Sequence, residues 1–318
     1  GEIYEGSGAD VAFRAIDDNF KEHHRETSAQ ERETKALTIA TSLLIKGKKI
    51  GENLAIQRQE LNALQKTGIS HGKPDEIVRT LHAILSYRTQ FYRQAGIETI
   101  SIRGLDVDNI NLLKTLCAFL KESGTTIVTA MLTRYFEVAK SKDDYTDYFS
   151  IVKALAAFFL LRRAATGTTE GIDGKIRDLM ITLDLKSDYD LCRALPDVKD
   201  VKAALVERLI SNKLAFNLSQ KDIWVDHVSK QPLYKTGRTI LKLLFLMAHH
   251  NTGIDSSNPG LLTRVGRTPS LSRNFLDYGV WASPIYGTLE HVAPDSEQPS
   301  SWTGIYTNTY TRHSIGNF

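Results

Sequence analysis

Along most of the chain, apolar residues recur at spacings of three and four, the period of one face of an α-helix. Val11, Ile16 and Phe20 fit one such face, and Leu37, Leu44 and Ile45 a second. Leu54, Ile56, Leu61 and Leu64 fit a third, which Gly68 is expected to end. Pro74-Asp75-Glu76 places proline and acids in a first helical turn, where the missing N–H is not needed and the dipole attracts negative charge. That helix is expected to run through Leu81, Leu85 and Phe91 to a stop at Gly96. Asp106 is placed to cap a helix carrying Leu112, Leu113 and Leu116, and further helices are expected over 125–138, 148–161, 175–183, 198–209 and 239–247. Nothing alternates with period two for long, and no repeat of fixed length or low-complexity tract occurs. The pattern predicts a mainly α protein, with an irregular helical array over 1–250.

The texture changes after Asn251. Asn251-Thr252-Gly253, Ser256-Ser257-Asn258-Pro259-Gly260 and Pro269-Ser270 pack turn signals close together. A basic linker and short helix are expected over 251–285. Arg264, Arg267 and Arg273 stand in it with few acids nearby, which suits either a solvated loop or a phosphate-contacting, nucleic-acid-binding segment.

Composition narrows this only a little. Hydrophobic residues make up 42% and charged residues 24% of the chain, an ordinary globular balance, and a net charge of +3 is too small to argue for nucleic acid by itself. Cys117 and Cys192 each sit in an apolar helical pattern, so both read as buried thiols in a reducing compartment, and no cysteine pair has zinc-ligand spacing. The longest apolar run, 154–161, falls far short of a membrane span, and no signal peptide opens the chain, so a cytoplasmic location without membrane contact is expected. Gly1 in place of an initiator methionine and the abrupt end at Phe318 read as cut ends. Gly6-Ser7-Gly8 is too short for a phosphate loop, and neither a Walker motif nor a nucleophile elbow occurs. His23-His24 and His249-His250 read as cations at helix ends rather than catalysts, and Arg162-Arg163 as a helix end reaching solvent.

The segment with chemistry is Thr288-Leu289-Glu290-His291-Val292-Ala293-Pro294, followed by Trp302 and then Ser314-Ile315-Gly316-Asn317-Phe318. An acid-His-x-x-Pro string alone arises easily by chance. The whole order is more specific, and it resembles the C-terminal HNH domain of the GmrSD family of modification-dependent restriction enzymes, an architecture shared by phosphorothioate-sensing phage-defence nucleases. Leu289, Glu290, His291, Pro294, Trp302, Gly316 and Asn317 match that family's pattern, while Asp295 replaces its usual Gln and Phe318 its usual Leu. The resemblance covers 289–318, and the region before it agrees only in being helical.

The resemblance implies a partial HNH nuclease domain over 286–318, an incomplete ββα-metal hairpin, in a metal-dependent DNA endonuclease or nickase that defends against phage or modified DNA. His291 would be the general base that activates water, Glu290 the ligand of a divalent ion (magnesium), and Asn317 a brace for the catalytic loop. His313 either touches phosphate or is an exposed hairpin histidine. The partners implied are double-stranded DNA and the family's nucleotide-hydrolysing N-terminal domain, whose Asp-Gly-Gln-Gln-Arg motif does not occur here. The third HNH residue would follow Phe318, so residues 1–318 alone are expected to bind metal weakly and to be impaired in catalysis. The competing expectation is a non-enzymatic helical scaffold that regulates or binds another protein.

Overall fold

The computed structural model describes residues 9–23, 26–48, 50–51, 53–209, 220–259, 262–265 and 274–287. They are mainly helical, as the periodicity predicts. The helices are α1 (Asp10–His23), α2 (Thr27–Lys46), α3 (Leu54–Ser70), α4 (Glu76–Phe91), α5 (Gln94–Glu98), α6 (Val107–Glu122) and α7 (Val128–Lys142). They continue as α8 (Thr146–Thr166), α9 (Ile172–Thr182), α10 (Val198–Leu209), α11 (Lys221–Ser229), α12 (Leu233–Thr236), α13 (Arg238–His249) and α14 (Tyr278–Ala282). Between α13 and α14 lies an antiparallel pair, β1 (Thr252–Ile254) and β2 (Leu262–Arg264), with Gly253 opposite Thr263. These strands have three residues each, too short for an alternating pattern to stand out in the sequence. The hairpin expected over 286–318 lies outside the described residues, apart from its first two positions. No helix among the described residues is long and apolar enough to cross a membrane.

The described residues of 1–104, 124–152 and 171–204 form one compact unit, and those of 105–123, 153–170 and 205–318 a second. In the first, α2, α4 and α7 pack on one another. Their apolar stripes supply Leu43 and Leu44, Ile84 and Leu85, and Met131 and Leu132, all buried. An aromatic knot joins them: Tyr87 stacks on Phe91 at 4.6 Å, and Phe136 meets Phe91 edge-on at 4.9 Å and Tyr148 at 5.3 Å. The buried hydroxyls of Tyr87 and Tyr148 satisfy each other at 3.0 Å. An unpaired hydroxyl there would cost about 1–3 kcal/mol.

Two glycines expected to stop helices do something else. Gly68 lies inside α3, where a Cβ would come within 3.1 Å of the Lys73 carbonyl oxygen and 3.3 Å of the Tyr189 ring. Gly96 lies inside the short α5, and a Cβ there would meet the Thr89 carbonyl oxygen at 2.1 Å. Both are close-approach positions, and the helices end by other means, at Ser70 and Phe91.

The stretch from α9 to α10 is irregular but firmly held. Ser187 N–H donates to the Leu44 carbonyl at 2.8 Å, and the Tyr189 hydroxyl to the Leu64 carbonyl at 3.0 Å. Arg193 pairs with Asp184 at 2.8 Å. Beneath the turn, the fully buried Arg134 of α7 donates to the carbonyls of Leu191 and Arg193. Asp184, Asp188 and Tyr189 all take left-handed backbone angles, a cost that these tethers offset. Cys192 lies on this turn and is exposed, so only Cys117 fulfils the expectation of a buried thiol. The apolar neighbours that made Cys192 look helical belong instead to a turn tethered from below.

In the second unit, Asp106 caps α6 as expected, its Oδ1 accepting from Asn109 N–H at 2.7 Å. α6 packs on α13 and α14. The arginine pair expected to reach solvent is instead drawn inward. α8 continues to Thr166 because Ala164 and Ala165 extend its buried face. Arg162 is therefore buried, donating to the Glu170 carbonyl at 3.3 Å, and Arg163 donates to the Ser123 carbonyl at 3.0 Å.

Candidate functional site

Glu290, His291, Trp302, His313, Asn317, Arg267 and Arg273 lie outside the described residues. The described chain does, however, run to Gly287, next to the motif, and its last stretch is well anchored. Asp277 caps α14 by accepting from Gly279 N–H at 2.7 Å, and its other carboxylate oxygen accepts from Asn111 Nδ2 at 2.6 Å. The Thr115 hydroxyl of α6 donates to the Leu276 carbonyl at 2.9 Å. Trp281 is buried, its indole N–H donating to Glu122 at 3.1 Å and its ring edge-on to Phe119. Lys242 of α13 lies over that ring at 4.8 Å and donates to the Trp281 carbonyl at 2.7 Å. Burial lowers the Lys242 pKa, and the nearby Glu122 opposes this.

Arg264 is described, and its guanidinium turns toward the end of α13. It donates to the His250 carbonyl at 2.9 Å and to the Met247 carbonyl at 3.4 Å, where cations favour a helix C-terminus. His249 places Nδ1 2.8 Å from the Phe245 carbonyl, in keeping with its reading as a helix-end residue.

The first unit holds a recess that the sequence reading did not single out. α4 presents Glu76, Arg79, His82 and Ser86 on one face, α7 presents Glu137 and Lys140, and the turn at Cys192 closes a cavity of about 420 Å³. Glu76 pairs with Arg79 at 3.6 Å and Glu137 with Lys140 at 3.3 Å. His82 Nε2 lies 3.3 Å from the Ser86 hydroxyl. Burial raises the Glu76 carboxyl above its ordinary value, with Asp190 adding to this and Arg79 opposing it. Burial lowers the His82 imidazole, so the ring is neutral near pH 7 and can both accept and donate a hydrogen bond. Such shifts in a polar recess mark a candidate site by physical criteria alone. Its signal in the sequence was faint: one face of α4 carrying an acid, an arginine, a histidine and a serine reads equally well as a solvated surface. Among the described residues, no cluster of three or more His, Cys, Asp or Glu is placed to hold a metal ion. Set against known proteins, the chain matches no family model and no curated relative.

Proposed function

We propose that the chain takes part in metal-dependent cleavage of DNA in defence against phage or modified DNA, with the reacting groups on 289–317. The order Leu289-Glu290-His291, Pro294, Trp302 and Gly316-Asn317 carries this reading. Hydrolysis of a phosphodiester needs a base on water and positive charge at the scissile phosphate. His291 takes the first role. Glu290 would hold the divalent cation, magnesium by resemblance, which supplies the second. Asn317 braces the loop carrying His291. Arg264, Arg267, Arg273 and His313 are assigned to phosphate contact.

The anchored stretch ending at Gly287 supports the reading, because such chemistry needs its groups held within fractions of an ångström by rigid neighbours. The test is nicking of supercoiled plasmid by the whole natural protein carrying this sequence, with magnesium and with chelator. His291→Ala should lose at least about a hundredfold in rate, the upper part of the range for general-base catalysis, while still binding DNA. Equal cleavage by wild type and variant refutes the role assignment. Absence of cleavage by wild type under every metal condition favours the protein-binding scaffold instead.

A further inference from the structure

A second cavity of the first unit, about 460 Å³, opens where the C-terminal half of α7 meets the start of α8 and the stretch leading into α10. Its inner wall is apolar, with Val138 and Ala139 of α7 buried. Leu195 and Pro196 also line it. Three carboxylates stand around it, Asp144, Asp147 and Asp197, against one lining cation, Lys142. Tyr135 also lines it, only 2% exposed, and its hydroxyl has no hydrogen-bond partner. The other buried tyrosine hydroxyls of this unit, on Tyr87, Tyr92, Tyr148 and Tyr189, are all bonded. Burial raises the Tyr135 phenol, and Asp147 and Asp197 raise it further, which places the hydroxyl in the field of the surrounding carboxylates.

Two of the carboxylates also have structural tasks. Asp144 accepts from Thr146 N–H at 3.0 Å and Asp197 from Lys199 N–H at 2.9 Å, at the starts of α8 and α10. These bonds answer the helix N-termini that would otherwise draw an anion, and each carboxylate keeps its formal charge. Asp197 also pairs with Lys199 at 3.2 Å. Asp147 is exposed and has no hydrogen bond or ion pair among the described residues.

We propose that this cavity binds an organic cation, an alkylammonium or guanidinium group, whose N–H donates to the Tyr135 hydroxyl oxygen and to Asp147. The apolar wall of Val138, Leu195 and Pro196 takes the methylene shank that such groups carry. A bare metal ion is the wrong occupant, since the described residues hold no three-donor cluster and the wall is apolar. The same chemistry can come from a free polyamine or from a lysine or arginine side chain of a partner protein. The proposal stands apart from the nuclease reading.

Titration calorimetry of the full chain tests it with putrescine, Nα-acetyl-lysine methylamide and succinate as probes. Both amines should bind saturably and succinate should not. Asp147→Asn should weaken amine binding about tenfold, as expected for one lost charge contact. Tyr135→Phe should weaken it about fivefold, with the thermal midpoint unchanged or raised because an unpaired hydroxyl is removed. Putrescine binding well above the blocked lysine assigns the site to free polyamines, and equal binding assigns it to a protein side chain. No saturation by either amine up to about 10 mM, where affinity would be worth less than a fragment contact, overturns the proposal. So do affinities that neither variant changes, or succinate binding as well as the amines.

Discussion

Replacing Trp281 by alanine should undock 274–287 while leaving α6 and α13 folded. The residue is 3% exposed. Truncating a buried tryptophan to alanine costs about 3–5 kcal/mol in burial and cavity formation. The edge-on pair with Phe119 and the Lys242 ammonium over the ring account for roughly 0.5–1.5 and 0.5–1 kcal/mol of that, with the bond to Glu122 contributing about 1 kcal/mol more. What remains to hold the segment is the Asn111–Asp277 bond and the Thr115–Leu276 bond, about 1 kcal/mol each. The loss exceeds the remainder, so the segment should open locally. Amide hydrogen exchange reads this directly. The Val280 and Trp281 amides, which both donate to the Asp277 carbonyl at 3.1 Å, should exchange about a hundredfold faster. Amides within α6, from Leu113 to Phe119, should change little. Trp281→Phe keeps an edge-on ring but loses the bond to Glu122, and should give only about a fivefold acceleration. Equal acceleration in α6 and in 278–281 would refute the argument, because it would make Trp281 a support of the whole unit. No acceleration at all would show that the two side-chain bonds from α6 suffice.

Two further outcomes follow from buried charge. Arg162→Met should raise the urea midpoint, by about 1 kcal/mol of stability, because Nε and Nη1 of Arg162 are buried without acceptors and burial disfavours its charge. A fall of that size would mean that the guanidinium contributes more than its bond to Glu170. His82→Gln should flatten the loss of stability on acidification. The folded pKa of His82 lies below its ordinary 6.5, so its contribution is present above 6.5 and is lost as pH falls through the folded value. Urea midpoints at about pH 7.5 and pH 5 check this, and an identical drop in wild type and variant would show that His82 is not the group responsible.

Much of the helical frame was legible in the residues, and the reason is local. The 198–209 helix coincides with α10, and Asp106 caps α6, because period and capping chemistry are set by neighbours in sequence. What escaped was non-local. Gly68 and Gly96 read as stops because glycine usually ends helices; only packing reveals what a Cβ would strike. Arg162 and Arg163 read as solvent-seeking because the burial of Ala164 and Ala165 depends on other helices. The recess at His82 needed α4, α7 and the Cys192 turn together, from three separated stretches. The motif at Glu290 and His291 shows the opposite case. It is legible only as an ordered string, because acid, histidine, proline and asparagine are individually common.

Arg134 shows why a costly residue stands where a hydrophobe would fit. It sits in the run Met131-Leu132-Thr133-Arg134-Tyr135, fully buried, and burial pulls its pKa from 12.5 down to about 10. At neutral pH it therefore stays charged, and that burial costs on the order of 3 kcal/mol. Its two bonds to carbonyls, worth about 1.5–3 kcal/mol each when the donor is charged, are enough to offset this. A methionine would avoid the penalty but could not hold two carbonyls at once, since only a planar fork presents parallel donors at fixed spacing. The carbonyls it holds belong to Leu191 and Arg193. Leu191 lines the recess containing His82, and Ala194, next to Arg193, lines the cavity containing Tyr135. One side chain thus fixes the backbone between two cavities. Without it, the left-handed residues Asp184, Asp188 and Tyr189 would rely on the Ser187, Tyr189 and Arg193 tethers, and both walls could shift together. The buried charge serves the definition of this turn more than the net stability of the fold.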